Sequence, residues 1–281
     1  MDISVIIVSW KVKEKLRENL LSLRPALSGL QAEVFVVDNA SQDGTAEMIK
    51  KEFPEVRLIA NDENLGFAKA NNQAMKKATG DYFLLLNPDM RVFPNTIQRS
   101  LIFAASKPRA VVTGVKLISE SGNLVPHVRR FPRIGDQLAI VLKLPHLFPK
   151  VLDGYLQEGF DYSQEAKVDS IRGAFFLINR GYWKSLSNED KPLLDERYFI
   201  WFEEVDFCRR VYENGGEVWY TPDAACVDYV GQSFKKVKRS SKQLYFQESM
   251  IAYFRKWESP WKASVLSLAW PIGRLIARIF S

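Results

Sequence analysis

The sequence predicts an α/β protein: a mostly parallel central sheet flanked by helices, with further helices at the C-terminal end. Three observations predict it. Short β-branched runs alternate with helical patterns through the first third of the chain, the pattern of βαβ units. Each run ends on polar residues, as strands do where an open sheet meets a ligand. The 281-residue chain is 47% hydrophobic and 26% charged, enough apolar surface to offset the entropy of ordering and exclude a disordered chain.

Asp2 leads directly into the first run, so the chain is expected to begin with fold and not with a targeting segment. Residues 3–8, 33–37, 56–60 and 82–86 are predicted as strands. Between them Leu16, Leu20, Leu21, Leu23 and Leu27 fall mostly on one helical face, and residues 45–53 and 67–78 also read as helices. These repeats place Ser9-Trp10, Asp38-Asn39, Asn61-Asp62 and Asn87-Pro88-Asp89 along one rim. A helix over 94–106 and a strand over 110–117 follow. Periodicity weakens from 119 to 167, where Pro126, Pro132, Pro145, Pro149 and the pair Arg129-Arg130 predict an irregular insertion over the site. Beyond it, 171–178 reads as a strand, 201–214 as a helix ended by Gly215-Gly216, and 218–220 as a strand. Two helices, 240–257 and 261–280, finish the chain.

A formal charge of +6 favours anionic partners: nucleotides, phospholipid headgroups or nucleic acid. The last is set aside, since no recognition helix or aromatic-basic motif accompanies the charge. Cys208 and Cys226 are the only cysteines, so there is no disulfide framework, and a reducing cytoplasm fits best.

Four segments carry groups suited to chemistry, and each also has a purely structural explanation. Asp38 closes a strand, where its carboxylate could accept from a base or ribose, while Ser41 and Asp43 could simply cap the next helix. Residues 61–72 combine a glycine turn with Lys69, Asn71 and Asn72, which is also what an ordinary connection to a capped helix looks like. Asn87-Pro88-Asp89 offers oxygen ligands to a hard divalent cation, or else forms a type I turn. Glu203, Glu204 and Asp206 crowd a helix start, where acids favour the macrodipole and Arg209 and Arg210 supply partners; a carboxylate beside an aromatic wall is also how a general base gains a useful pKa.

Taken in order, these segments resemble the family 2 glycosyltransferases of GT-A (Rossmann-like) fold, in particular the bacterial rhamnosyltransferase-like branch. The resemblance covers roughly residues 3 to 257. It is carried by Val5-Ile6-Ile7-Val8-Ser9-Trp10, the run from Val36 to Thr45, Asn64-Leu65-Gly66-Phe67-Ala68, Leu86-Asn87-Pro88-Asp89, Arg172-Gly173-Ala174, and Phe202 to Arg210. It implies a GT-A domain over 1–235, with a nucleotide-sugar half (1–117) and an acceptor half (118–235), and a C-terminal helical segment over 236–281. By that similarity Ser9, Asp38, Asn64, Gly66, Asn87 and Arg172 bind the nucleotide sugar, and Asp89 holds Mg²⁺ or Mn²⁺. Glu204, with Glu203, occupies the catalytic base position, and Trp201, Asp206 and Arg210 stand on the acceptor side.

The chain departs from the family pattern in three places. Asn87 stands where many relatives have the first aspartate of an Asp-x-Asp motif, keeping an oxygen ligand without its charge. Glu203-Glu204-Val205-Asp206 replaces the commoner Glu-Asp-x-Asp, which puts a longer side chain at the base position. Asp228-Tyr229-Val230-Gly231-Gln232-Ser233 replaces His-x-x-Gly-x-Ser, so Asp228 is a candidate metal ligand or, alternatively, an exposed strand-end acid.

The implied activity is inverting transfer of a hexose such as rhamnose from a dTDP- or UDP-sugar to a glycan or polyprenyl-diphosphate-linked acceptor, in cell-surface polysaccharide assembly. The alternative is a non-catalytic nucleotide-sugar or glycan-binding module on the same fold. Lys235, Lys236, Lys238 and Arg239 form either a solvated face or a phosphate clamp. Residues 261–280 mix large apolar residues with Lys262, Arg274 and Arg278 around Pro271, too interrupted for a transmembrane span. They suit either an anionic membrane interface, with the protein peripheral at the inner face of the cytoplasmic membrane, or a helix buried against the domain.

Overall fold

The computed structural model of the chain describes residues 1–229, 231 and 237–279. Four parallel strands form the first half of the sheet: β1 (Ile3–Ser9), β2 (Ala32–Asp38), β3 (Arg57–Ala60) and β4 (Tyr82–Leu86). Helices α1 (Lys13–Ala26), α2 (Thr45–Glu52) and α3 (Phe67–Met75) connect them. All seven residues of β1 are buried, as expected of a central strand covered on both faces. Successive residues feed opposite faces: Ile6, Val8, Phe35, Val37, Phe83 and Leu85 join one core, Ile3, Val5, Ile7, Val36, Leu84 and Leu86 the other.

Past β4, β5 (Met90–Val92), α4 (Thr96–Ser106) and β6 (Ala110–Ile118) lead into the region predicted as irregular. It holds β7 (Val128–Arg129), α5 (Ile134–Val141), two 3₁₀ turns, the single-turn helix α6 (Asp153–Leu156) and β8 (Ala166–Lys167). The predicted strand over 171–178 is two strands, β9 (Ser170–Ile171) and β10 (Phe175–Asn179), because Arg172-Gly173-Ala174 turns between them with the Ala174 N–H donating to the Arg172 carbonyl at 2.8 Å. Then come α7 (Arg180–Ser187), α8 (Glu203–Glu213) and β11 (Glu217–Asp228). β11 is far longer than the predicted 218–220; it carries Pro222 through a register shift against β6 between Thr221 and Ala225.

The mixed, mostly parallel sheet runs β3-β2-β1-β4-β10-β6-β11-β5, with β8 also on β11. β10 enters antiparallel between β4 and β6, which brings Arg172-Gly173-Ala174 to the rim where the parallel strands end. β11 lies parallel to β6 and antiparallel to β5, pairing Asp228 with Met90.

Two long helices close the chain, α9 (Arg239–Trp257) and α10 (Pro260–Ile279), and α10 continues through Pro271. One face of α10 packs against the domain and another is exposed. Ala263, Leu266, Ala269 and Trp270 are buried in a third core with Tyr198, Phe202 and Phe254, while Leu268, Ile272 and Leu275 are 75%, 54% and 62% exposed. Among the described residues no helix is long and apolar enough to cross a membrane.

Candidate active site

Register and loop bonds align the strand ends. Ser9 stands beside Asp38, the Asn39 N–H donates to the Ser9 carbonyl at 2.8 Å, and the Asn61 N–H to the Asp38 carbonyl at 2.9 Å. The Asn87 N–H donates to the Ala174 carbonyl at 2.9 Å, tying the turn after β4 to the segment before β10. Beneath that turn the buried Asn19 donates to the carbonyls of Asn87 at 3.1 Å and Met90 at 2.9 Å. A residue of α1 thus fixes the Asn87-Pro88-Asp89 backbone.

These ends open into a cavity of about 490 Å³. Asn64, Gly66, Asn87, Asp89, Arg172, Trp201, Glu203, Glu204 and Asp228, nine of the sequence-predicted site residues, line it. The other four do not. Ser9 is wholly buried, and Asp38 is turned into the protein, accepting the Ser41 N–H at 3.2 Å; its neighbour Asn39 faces the cavity instead. Burial nevertheless raises the Asp38 pKa, and the Ser41 bonds only partly offset it.

Asp206 and Arg210, expected on the acceptor side, do not line the cavity. Asp206 is fully buried, taking hydrogen bonds from Tyr198 Oη at 3.0 Å and Trp257 Nε1 at 2.6 Å and an ion pair from Lys256 at 2.8 Å. It fastens α8 to the end of α9. Arg210 donates to the Leu193 carbonyl at 2.7 Å and pairs with Glu189 at 2.8 Å. Glu203 and Glu204 open α8 at the cavity, whereas Arg210 lies two turns farther along nearly the same face as Glu203, about 10 Å down the axis, and Asp206 is turned roughly 160° away from Glu204.

The asparagines after β2 and β3 shape the donor-side wall. Asn39 donates to Asn64 Oδ1 at 2.8 Å and accepts from Asn61 Nδ2 at 3.1 Å and the Leu65 N–H at 3.0 Å. Gly66 has φ +81°, and an added Cβ would collide with the Phe199 carbonyl oxygen. That close approach seats Phe199, whose ring stacks on Tyr245 with centroids 4.5 Å apart. Trp10, Phe67, Phe199 and Tyr245 give the cavity an aromatic wall. The sequence pattern assigns these rings no role, although Phe199 lies four residues before Glu203; Tyr245 lies on a helix whose pattern gives no such signal.

At the N-terminus of α8, Glu203 and Glu204 each keep one buried carboxylate oxygen without a hydrogen-bond partner among the described residues. Glu204 is partly open to the cavity, yet burial of its carboxyl raises its pKa to about 7, against the pull of helix N–H groups and Arg172. Burial raises Glu203 well above the usual carboxylate range, and the adjoining Glu204 charge raises it further. The turn at Gly173 lies directly against Glu204: a Cβ there would stand 3.6 Å from that of Glu204.

Arg172 forms an ion pair with the buried Asp228 and also feels the charges of Asp89 and Glu204. Burial and the neighbouring Arg129 lower its pKa from the usual arginine value. No cluster of three or more His, Cys, Asp or Glu side chains suited to a metal occurs among the described residues. Asp89, Asp228 and Asn87 are nevertheless all oxygen donors on one cavity, a set that suits a hard cation completing its shell with phosphate and water. Lys238 of the predicted basic run also lines the cavity. Lys235, Lys236, the Arg239 side chain and Val230, Gln232 and Ser233 of the downstream motif lie outside the described residues.

Comparison with known proteins agrees with this architecture. The family profile described as "Glycosyl transferase family 2" matches residues 4–164. An N-acetylglucosaminyl-diphospho-decaprenol L-rhamnosyltransferase of Mycobacterium tuberculosis is 26% identical over 274 residues, covering 92% of this chain and 86% of its own. Two solved structures share the fold. The mannosyltransferase PcManGT from Pyrobaculum calidifontis, in complex with GDP-Man and Mn²⁺, aligns at 17% identity and TM-score 0.58 over 98% of this chain and 73% of that one. S. aureus TarS 1–349 in complex with UDP aligns at 18% identity and TM-score 0.56 over 91% and 72%. The chain therefore belongs to glycosyl transferase family 2, with a GT-A fold, and is similar over most of its length to a rhamnosyltransferase.

Proposed function

We propose that the chain transfers a hexose, with inversion, from a nucleotide-diphosphate sugar to the hydroxyl of a glycan or polyprenyl-diphosphate-linked acceptor. The observation that carries this reading is that Glu204 and Asp89 line one cavity together with Arg172, which feels the charge of both. Glu204, raised to about 7, takes the proton of the acceptor hydroxyl as that oxygen attacks the anomeric carbon. The bond from the anomeric carbon to the diphosphate breaks, its electron pair leaves with the nucleotide, and the configuration inverts. Glu203 is raised as well, by burial and by the adjoining Glu204 charge, which disfavours ionising both carboxyls at once. Arg172 faces the charge that builds on the leaving diphosphate.

Asn87, Asp89 and Asp228 would hold Mg²⁺ or Mn²⁺, which when bound would neutralise diphosphate charge. Neighbouring folds crystallised with UDP, UDP-GlcNAc, GDP-Man and Mn²⁺ support a nucleotide-sugar donor and a divalent ion. A dTDP- or UDP-sugar is the donor class proposed, and the name of the mycobacterial relative supports a lipid-diphosphate acceptor. The exposed Leu268, Ile272 and Leu275 of α10, with Lys262 and Arg274 on the same helix, support peripheral attachment at the inner face of the cytoplasmic membrane. A panel of nucleotide sugars with Mg²⁺ or Mn²⁺, scored by released nucleotide diphosphate, tests the reading. Turnover of one donor class is expected; no turnover or binding of any donor would overturn it.

A further inference from the structure

A second cavity, of about 250 Å³, lies between α5, α9 and α10. One side chain joins it to the first: Trp201 lines both. Its apolar wall includes Phe246 and Trp270, and Lys143, Lys242 and Arg274 line it as well. None of the described residues lining it is acidic. Gly273 lets α10 approach α5 closely enough to form the cavity, since an added Cβ would collide with the Val141 carbonyl oxygen.

Gathering like charges around one opening is unfavourable unless solvent or an anion offsets it. Lys143 is moreover held at φ 59°, a left-handed conformation in which glycine would be the less strained residue. Trp270 adds an independent signal. It is only 8% exposed, and its indole N–H, which can only donate, has no acceptor among the described residues. Leaving such a donor unsatisfied is unfavourable.

Cations alone would suit any anion, and apolar walls alone any hydrocarbon. Together they fit an anionic head on an apolar chain. The cavity is too small for a long chain, but a neighbouring hollow of about 360 Å³ shares Trp270 and Arg274 and also borders Leu275 on the exposed apolar face of α10. That gives the chain a course from the cavity to the surface.

We propose that this cavity seats the phosphate-bearing head and first carbons of a lipid-linked acceptor, with Trp201 forming the wall between the lipid and the transfer site. The inference rests on the transferase reading of the first cavity and adds the place of the acceptor's lipid portion. Three cations and a buried N–H would hold the phosphate oxygens, and Phe246 and Trp270 would cover the first carbons.

The test is calorimetric titration of the full chain with farnesyl diphosphate, inorganic diphosphate and phosphatidylglycerol vesicles. Farnesyl diphosphate is expected to bind at least about tenfold more tightly than inorganic diphosphate, as burial of its first few carbons requires. The double variant Lys242→Glu/Arg274→Glu is expected to weaken it by about tenfold or more through lost charge-assisted contacts. Two milder variants guard against misfolding: Arg274→Gln alters an exposed side chain, and Trp270→Phe removes the N–H while keeping the ring. Both are expected to weaken binding several-fold.

Wild-type affinity for farnesyl diphosphate in every variant would overturn the proposal, as would equal binding of inorganic diphosphate. Loss of vesicle binding alone in the variants would also overturn it, showing bulk phospholipid to be the occupant. A separate titration with nucleotide sugars keeps the two readings apart. A chain that binds them but not farnesyl diphosphate retains the transferase reading and loses this cavity, whereas the reverse result removes the transferase reading and with it the assignment of the bound lipid as an acceptor.

Discussion

Arg172 and Asp228 form an ion pair at the cavity wall, joining the turn between β9 and β10 to the end of β11; the arginine side chain is 37% exposed, the aspartate 3%. The unequal burial gives the pair a direction: the carboxylate depends on the guanidinium, which retains an open side toward the cavity. Arg172→Ala is expected to raise the donor KM by about tenfold or more and to lower stability by about 1–2 kcal/mol, a buried-pair loss discounted for the exposed arginine. Arg172→Lys should recover only part of the donor affinity, because lysine lacks the planar fork. Donor saturation curves and thermal melts measure the two effects.

The raised pKa of Glu204 sets the pH dependence of transfer. A base acts only when deprotonated, so kcat/KM is expected to rise with pH through about 7 and then level off. An ordinary carboxylate would place that limb near 4.5 instead. Rates measured from pH 5.5 to 8.5 at saturating metal distinguish the two.

Glu203 affects stability with a definite sign. Its folded-state pKa lies above the ordinary 4.5, so the folded chain binds that proton more tightly than the unfolded one. The resulting stability is fully present below 4.5 and is lost as pH rises toward the folded value. Glu203→Gln, neutral throughout, is therefore expected to melt roughly 2–4 °C higher relative to wild type at pH 8 than at pH 5, about the shift for 1 kcal/mol in a chain of this size. Parallel melts of both proteins at the two pH values provide the comparison.

Asp206, despite its place in the acid cluster, is expected to act on stability. Asp206→Ala leaves the buried donors of Tyr198 and Trp257 without their acceptor, while Lys256 keeps Asp195 at 2.9 Å, and should cost about 2–4 kcal/mol through the unsatisfied donors. A fall in melting temperature on the order of 10 °C would follow. If the variant instead melted like wild type and lost turnover, Asp206 would have to be placed in the chemistry.

The strand ends were legible in the sequence because β1 to β4 are short, apolar and followed by polar residues, a local pattern that also fixes which end of each strand meets the rim. Arg172, Asp89 and Glu204 were found through motif order. Other features were hidden for physical reasons. The break at Arg172-Gly173-Ala174 sits inside an apolar run that reads as one strand. The choice of Asn39 over Asp38 as the cavity residue depends on how the chain turns after β2. Asp206 meets Lys256 and Trp257 from another helix, fifty residues along the chain, and no local spacing reports such a contact. Asn19 is one more polar residue on a leucine-rich helix until the turn it supports is seen.

The most direct test of the transfer mechanism compares wild type with Glu204→Gln, using the best donor and a prenyl-diphosphate acceptor and following both nucleotide release and the anomeric configuration of the product. Inverted product is expected from wild type, with kcat lowered by about 10²–10⁴-fold in Glu204→Gln, the range for loss of a general base. Retained configuration, or Glu204→Gln turning over at the wild-type rate, would contradict it.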